Sequence, residues 1–250
     1  MIRKGSCIIS VCICLVLTFS LASCQRQQPV LIWDCIGAPT GDERMSRCEH
    51  GNFVTEEMIR KGQVCTFIME FNLSDLNLTD AEIQFLSELT SLVFLNLRGN
   101  LIRDVTPLES LTNLTALSLR GNRVYDLAPL TSLINLNELW MDDNRVNDLI
   151  PLSKLVNLNR LYLPGNLVYD ITPIAELTSL RELNLRGNQI NDLTPLAELT
   201  NLESLNLSNN QIRDITPLAN LKNLTYLNLS GNEIADWSPV AHVENVAGRP

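Results

Sequence analysis

Residues 180–201 read LRELNLRGNQINDLTPLAELTN, and this stretch decides the fold because the chain repeats it with a strict spacing. Every copy keeps the pattern L-x-x-L-x-[LM]-x-x-N-x-[IV]-x-D. The alternating leucines predict a short strand with one apolar face. No single copy can bury that face alone, so stacked copies must share one continuous core. Seven copies begin at equal intervals, at Leu92, Leu114, Leu136, Leu158, Leu180, Leu202 and Leu224.

An eighth, looser copy precedes these seven. It begins at Ile68, is slightly longer than the others, and has Leu76 where they have asparagine. Terminal repeats of a solenoid usually depart from the pattern in this way. The sequence therefore predicts eight repeats over residues 68–246 and a short tail at 247–250. They explain the 45 leucines and 26 asparagines among 250 residues.

These residues resemble the leucine-rich repeat, in the 22-residue subtype of the internalins with its Asp-x-x-Pro-Leu second half. The resemblance covers about residues 64–246. It implies a leucine-rich repeat solenoid, an α/β-type curved horseshoe. Parallel strands line its concave face, and 3₁₀ or short helical turns form its convex side. In this family the concave face usually binds the partner.

Polar residues recur at two fixed places in each copy. We expect the asparagine after each strand to satisfy backbone groups within its turn and between repeats. We expect the aspartate four residues later to cap backbone N–H groups; a calcium column is the disfavoured alternative, because glycine-rich Asp turns are missing. In five copies, Thr or Ser then precedes proline and predicts an N-cap. The aspartates are Asp104, Asp126, Asp148, Asp170, Asp192, Asp214 and Asp236.

Candidate binding residues occupy the third, fifth and seventh positions of each copy, which face outward from the strands. Asparagine predominates in the fifth column, where it is interpreted as a residue without a specific role. Trp140 and Tyr162 replace it in two neighbouring copies. Exposed aromatics ringed by charges are typical of interaction hot spots. The alternative is that the two rings merely pack on each other. The charges expected around the rings are Glu138, Arg160, Asp142 and Arg186.

A smaller candidate is the basic pair Arg98 and Arg120 in the seventh column. Such a pair suits a carboxylate or a sulfate, although solvated charge is the plainer interpretation.

Composition and motifs exclude several functions. A formal charge of −9 and 5% aromatic residues oppose nucleic-acid binding. The chain has two histidines, and it has no glycine-rich phosphate loop, metal-ligand cluster or nucleophile arrangement. We therefore expect no enzymatic activity, no cofactor and no metal, and a monomer.

Residues 1–23 predict a secretory signal: Arg3 and Lys4 precede a short apolar run that ends in small residues. A membrane-spanning helix is the alternative, but the run is short for one. The sequence Leu21-Ala22-Ser23-Cys24 resembles the bacterial lipobox, which implies cleavage before Cys24 and its lipidation. Ordinary cleavage nearby would leave Cys24 unmodified. Residues 24–30 then form a lipidated cysteine and short tether.

Residues 31–67 predict an N-terminal cap that contains Cys35, Cys48 and Cys65. In an exported protein we expect a disulfide among these three thiols, and the sequence does not choose the pairing. A zinc site that includes His50 is disfavoured, because the spacing matches no CxxC pattern.

These observations predict a lipid-anchored, extracytoplasmic binding module, attached to the cell membrane or outer membrane. Its concave face would hold a protein or, alternatively, a glycan. A structural or assembly scaffold of an envelope complex is the second interpretation. A cytosolic regulatory subunit with leucine-rich repeats is the third, which the signal sequence opposes.

Overall fold

The computed structural model describes residues 69–249. The predicted signal peptide, Cys24 with its tether, and the cap with Cys35, Cys48 and Cys65 lie outside these residues.

Within residues 69–249, nine short parallel strands form an open sheet in sequence order. The middle residue of each strand is apolar and points into the core, as in the register Leu95–Leu117–Leu139. The flanking residues face the concave side. The predicted leucine-rich repeat solenoid is therefore confirmed. The strands are β1 (Glu70–Asn72), β2 (Phe94–Asn96), β3 (Ala116–Ser118), β4 (Glu138–Trp140), β5 (Arg160–Tyr162), β6 (Glu182–Asn184), β7 (Ser204–Asn206), β8 (Tyr226–Asn228) and β9 (Asn245–Ala247).

Short 3₁₀ helices form the convex side, as the repeat pattern predicts. Among the described residues, none of these helices is long and apolar enough to cross a membrane. They span Gln84–Glu88, Thr106–Leu108, Ala128–Ser132, Ile150–Lys154, Thr172–Ile174, Thr194–Leu196, Thr216–Asn220 and Ser238–Val240.

The aspartate column caps the seven helices that follow Gln84–Glu88, and the predicted N-cap role of Thr and Ser is wrong. The carboxylate of each aspartate accepts the N–H two residues later at 2.8 Å, as Asp170 does from Thr172. Thr172 is the first helical residue, and the N-cap is Ile171, which makes no side-chain cap bond. The Thr172 hydroxyl and N–H lower the pKa of Asp170. The Asp170 carboxylate therefore serves as a helix cap within the scaffold.

The asparagine after each strand forms the predicted ladder in the core. Asn144 is typical: its Nδ2 donates to the carbonyls of Leu119 at 2.8 Å and Met141 at 3.1 Å. Its Oδ1 accepts the Val124 N–H at 2.9 Å. One side chain thus ties two neighbouring repeats, above a core of fully buried leucines.

A second asparagine ladder, at the last position of the repeats, was not predicted from the sequence. There Asn135 Nδ2 donates to the Thr112 carbonyl at 2.9 Å, across the edge where the chain returns to the sheet. Recurrence at a fixed position was the signal that could have revealed it. The same bond is made by Asn113, Asn157, Asn201 and Asn223.

The ninth strand was also not predicted. Asn245 pairs with Tyr226, a shorter separation in sequence than the repeat period, so β9 falls outside the pattern. It covers the last repeat and spans the predicted boundary between the repeats and the tail at residue 246.

Candidate functional site

The middle of the concave face carries a cluster of aromatic and charged side chains from four consecutive strands. In-register pairing places Trp140 beside Tyr162, and Glu138 beside Arg160 and then Glu182. The sheet register alone therefore brings together residues that lie one full repeat apart in sequence. We call this set the central cluster; it consists of Arg120, Glu138, Trp140, Asp142, Arg160, Tyr162 and Glu182.

Two aromatic rings form the centre of the cluster. The Trp140 and Tyr162 rings are stacked, with centroids 6.3 Å apart and planes 13° apart. The Arg120 guanidinium lies over both rings, 5.7 Å from the Trp140 centroid and 6.0 Å from that of Tyr162. Such cation–π contacts stabilise a ring pair and hold it in place. Both rings are half-buried rather than sealed.

A row of three charges borders one side of the ring pair. The Arg160 Nη1 donates to Glu138 Oε1 at 3.0 Å, and its Nε donates to Glu182 Oε1 at 2.9 Å. The two glutamates lie on the strands either side of Arg160, so one guanidinium joins three strands. The adjacent carboxylates raise the pKa of Arg160, with the Glu182 hydrogen bond as the main cause.

Glu182 also accepts a hydrogen bond from the Tyr162 hydroxyl. Burial raises the pKa of Tyr162, and this hydrogen bond raises it further. The phenol is therefore a neutral donor whose ring is locked to the charged row. Glu182 was not predicted as a site residue, although its place after Glu138 and Arg160 in the third column could have identified it.

A second ion pair borders the other side of the rings. The Arg120 Nε donates to Asp142 Oδ2 at 2.9 Å, with 37% of the Arg120 side chain and 23% of the Asp142 side chain exposed. Burial raises the pKa of Asp142, and the Arg120 charge opposes that rise. The rings thus lie between two sets of paired charges, and the cluster contains three carboxylates and two guanidinium groups.

Six of the eight predicted site residues meet in this cluster: Arg120, Glu138, Trp140, Asp142, Arg160 and Tyr162. Arg98 and Arg120 were predicted as a basic pair that suits an anion; in the structure, Arg120 donates to Asp142 and lies over the two rings, so its charge is already paired. Arg98 and Arg186 are exposed, and neither makes an ion pair within residues 69–249. The Arg186 backbone N–H donates to Asn184 Oδ1 at 3.1 Å.

The asparagines of the fifth column have a structural role, contrary to the interpretation from the sequence. The Oδ1 atoms of Asn96, Asn206 and Asn228 accept the N–H two residues later at 3.0–3.1 Å. Each bond satisfies the backbone where the chain leaves the strand. The concave face therefore has two kinds of surface: asparagines committed to the backbone, and the central cluster, whose side chains bind mainly one another.

The cluster lies within a groove that runs along the concave face from β1 to β6. Its lining includes Glu70, Phe94, Arg98, Asn137 and Asn159. Among residues 69–249, no three potential ligand side chains are grouped closely enough to hold a metal ion. The geometry is that of a shallow, polar contact surface with an aromatic centre.

Comparison with known proteins agrees with this architecture. A family model described as Leucine Rich repeats (2 copies) matches residues 156–198 and 200–242. Among curated protein sequences no relative is found.

Similar proteins are found among solved structures. The crystal structure of internalin C2 from Listeria monocytogenes is 39% identical, with a TM-score of 0.67; the match covers 72% of this chain and 78% of that one. An internalin of the same organism, InlF, is 34% identical with a TM-score of 0.59. That match covers 74% of this chain and 62% of InlF.

Proposed function

Because the chain belongs to the internalin family of leucine-rich repeat proteins, we propose that it is a binding module that holds a protein partner on its concave face. Trp140 and Tyr162 are the anchors, and Arg120, Glu138, Asp142, Arg160 and Glu182 form the charged border. A concave face of this many strands is large enough for a standard interface of about 800 Å² per partner.

The observation that carries this proposal is the stacked Trp140–Tyr162 pair between two sets of ion pairs. Hot spots combine a rigid aromatic centre with a polar border that excludes water. Here the rings are held by each other, by Arg120 and by the Tyr162–Glu182 bond, so binding would cost them little side-chain entropy.

A protein partner is favoured over a glycan by how the rings are presented. A sugar would need an open ring face to stack on, whereas these rings stack on each other beneath Arg120. Protein side chains pack well against ring edges and charged borders. Glycan binding remains the alternative outcome of the experiment below.

We also propose that the chain is exported and lipid-anchored through Cys24, as a monomer on the cell membrane or outer membrane. The support is the Leu21-Ala22-Ser23-Cys24 pattern after a charged and apolar leader. A thioether-linked lipid with a second acyl chain anchors stably, whereas one chain binds marginally.

Quantitative capture from surface extracts tests the binding proposal. Immobilised wild-type chain is compared with the Trp140→Ala/Tyr162→Ala double variant, and captured proteins are measured by mass spectrometry. We expect the partner to be retained by the wild type and lost by the double variant. Protease treatment of the extract before capture separates the two partner classes, because a glycan ligand would survive it.

The matched control is Tyr226→Ala. Tyr226 is 41% exposed on β8, on the same face but outside the cluster, so this variant should capture normally. Circular dichroism confirms that each variant is folded. Equal capture by the double variant and the wild type would contradict the concave site and favour a scaffold role for another surface.

The anchor has its own test. Cells that express the chain with labelled palmitate should yield a labelled protein, and the Cys24→Ala variant should be unlabelled. An unlabelled wild type would refute lipidation without affecting the binding proposal.

A further inference from the structure

The segments that leave the strands carry a second surface, outside the concave face. Backbone hydrogen bonds join successive copies there: the Arg123 N–H donates to the Ile102 carbonyl at 2.8 Å, and the Arg145 N–H to that of Val124 at 2.9 Å. The side chains at the tenth and twelfth positions of the repeats, apart from the half-buried Leu101, are exposed on either side of these bonds. They form two adjacent columns along the flank of the solenoid.

The last repeats show how side chains in these two columns meet. Arg213, at a twelfth position, pairs with Glu233, at the tenth position of the next copy. The Arg213 Nη2 lies 2.6 Å from Glu233 Oε2. The repeat therefore places these two positions within ion-pairing distance.

In the first repeats, the same two positions hold two arginines, Arg103 and Arg123. Arg145 follows at the next tenth position, beside Tyr125. None of these three guanidinium groups makes an ion pair or a side-chain hydrogen bond among residues 69–249. Like charges held at a pairing distance repel each other. In these repeats, the two columns therefore place cations at positions that can form an ion pair, and neither column supplies a carboxylate opposite them.

Large apolar side chains stand in the same columns. Tyr125 is 60% exposed, Leu167 is 47% exposed and Tyr169 is 62% exposed. Arginine and tyrosine together are typical of protein interfaces, since both combine polar contacts with extensive packing area. In the copies that follow, these columns hold Gln189, Asn191 and Gln211 instead.

We propose that this arginine flank, formed by Arg103, Arg123, Tyr125, Arg145, Leu167 and Tyr169, binds an acidic segment of a protein partner. Carboxylates of the segment pair with the three guanidinium groups, and its apolar side chains pack on Tyr125, Leu167 and Tyr169. Charge-assisted hydrogen bonds from arginine are among the strongest available at a surface. The chain as a whole is acidic, at −9, so the flank is a local exception.

Neighbouring aspartates favour a peptide over a uniform polyanion or an anionic membrane. Asp104, Asp126 and Asp148 are exposed at the thirteenth positions, directly beside the flank. A surface of continuous negative charge would bring anions onto these carboxylates. A peptide can place its carboxylates over the arginines and its neutral residues over the aspartates.

Selection from a random-peptide display library on the full chain tests this proposal. We expect the recovered peptides to be rich in Asp and Glu and to include aromatic residues. A synthetic copy of the most enriched peptide should bind the wild type more weakly as salt is added. Its affinity should fall by about tenfold or more in the Arg103→Gln/Arg123→Gln/Arg145→Gln variant.

Two control variants make the result specific. Arg213→Gln removes a flank arginine that Glu233 already occupies, so it should leave peptide affinity unchanged. Trp140→Ala/Tyr162→Ala should also leave it unchanged, so failure of the concave site and failure of the flank are distinguishable. The proposal is overturned if the recovered peptides have no acidic excess, or if the triple variant binds them normally. Arginine-dependent binding of dextran sulfate or anionic vesicles that exceeds peptide binding would equally overturn it.

Discussion

The central and C-terminal strands of the concave sheet share one backbone register but use their outward side chains differently. On β7 and β8, Asn206 and Asn228 accept the N–H groups of Ser208 and Ser230 at 3.1 and 3.0 Å. On β4 and β5, Trp140 and Tyr162 replace these asparagines. At Tyr162 this replacement leaves no donor unsatisfied, because the residue two positions later is Pro164, which has no N–H.

This difference shows how a repeat scaffold can change the chemistry of one part of its surface without a change of fold. In the C-terminal strands, the concave side chains satisfy the backbone. In the central strands, the rings, arginines and carboxylates satisfy one another. The buried core and the ladder beneath are common to both regions, so the two regions differ in their surface.

The prediction with the largest expected effect asks whether the buried asparagine ladder stabilises the central and the C-terminal repeats equally. Asn144 is 8% exposed, whereas Asn210 is partly exposed. Asn144→Ala leaves a buried N–H and several carbonyls without partners, so we expect a loss of about 3 kcal/mol in the free energy of unfolding, against about 2 kcal/mol for Asn210→Ala. Urea unfolding followed by circular dichroism measures both.

The control for this pair is Asn191→Ala, an exposed side chain with no hydrogen bond among residues 69–249. It should change stability by less than about 0.5 kcal/mol. A larger loss for Asn210→Ala than for Asn144→Ala would mean that the C-terminal ladder, and not the central one, is the stronger part of the scaffold.

The period of the sequence was enough to predict the fold and the side-by-side placement of residues at the centre of the cluster. Because each strand pairs in register with the next, the constant spacing of the repeats places Trp140 beside Tyr162 and Arg160 beside Glu138. Side chains that reach across strands are not encoded in the period. Arg120 extends from the end of β3 to the Tyr162 ring on β5, and its contacts with Asp142 and the rings depend on charge and ring packing.

Two further features escaped prediction for local reasons. Thr172 reads as an N-cap, but the Asp170 carboxylate takes its N–H, so the helix starts one residue earlier than the cap rule suggests. Strand β9 was missed because the chain returns to the sheet after a shorter excursion, which breaks the leucine pattern.

A smaller effect tests whether the charged row stabilises the central strands. Arg160→Ala leaves Glu138 and Glu182, on the strands either side of position 160, without the cation between them, so we expect a loss of about 1.5 kcal/mol in unfolding free energy. The matched control is Arg181→Ala, which removes an exposed pair with Glu203 and should cost less than about 0.5 kcal/mol. Added salt should reduce both effects. Equal losses of unfolding free energy in the two variants would show that the charged row stabilises the protein no more than an ordinary surface ion pair does.

The prediction with the smallest expected effect reproduces, at Asn206 on β7, the arrangement found at Tyr162 on β5. Asn206 Oδ1 also accepts the Ser208 hydroxyl at 2.8 Å, so Asn206→Ala leaves both the N–H and the hydroxyl of Ser208 without this acceptor. We expect a loss of about 1 kcal/mol in unfolding free energy. Adding Ser208→Pro removes both donors and places proline where β5 has Pro164, and it should recover about half of the loss. A double-mutant cycle measured by urea unfolding gives the coupling between the two positions. If the cycle shows no coupling, then the asparagine does not act through these two donors of Ser208, and the tolerance of β5 for Tyr162 has another cause than Pro164.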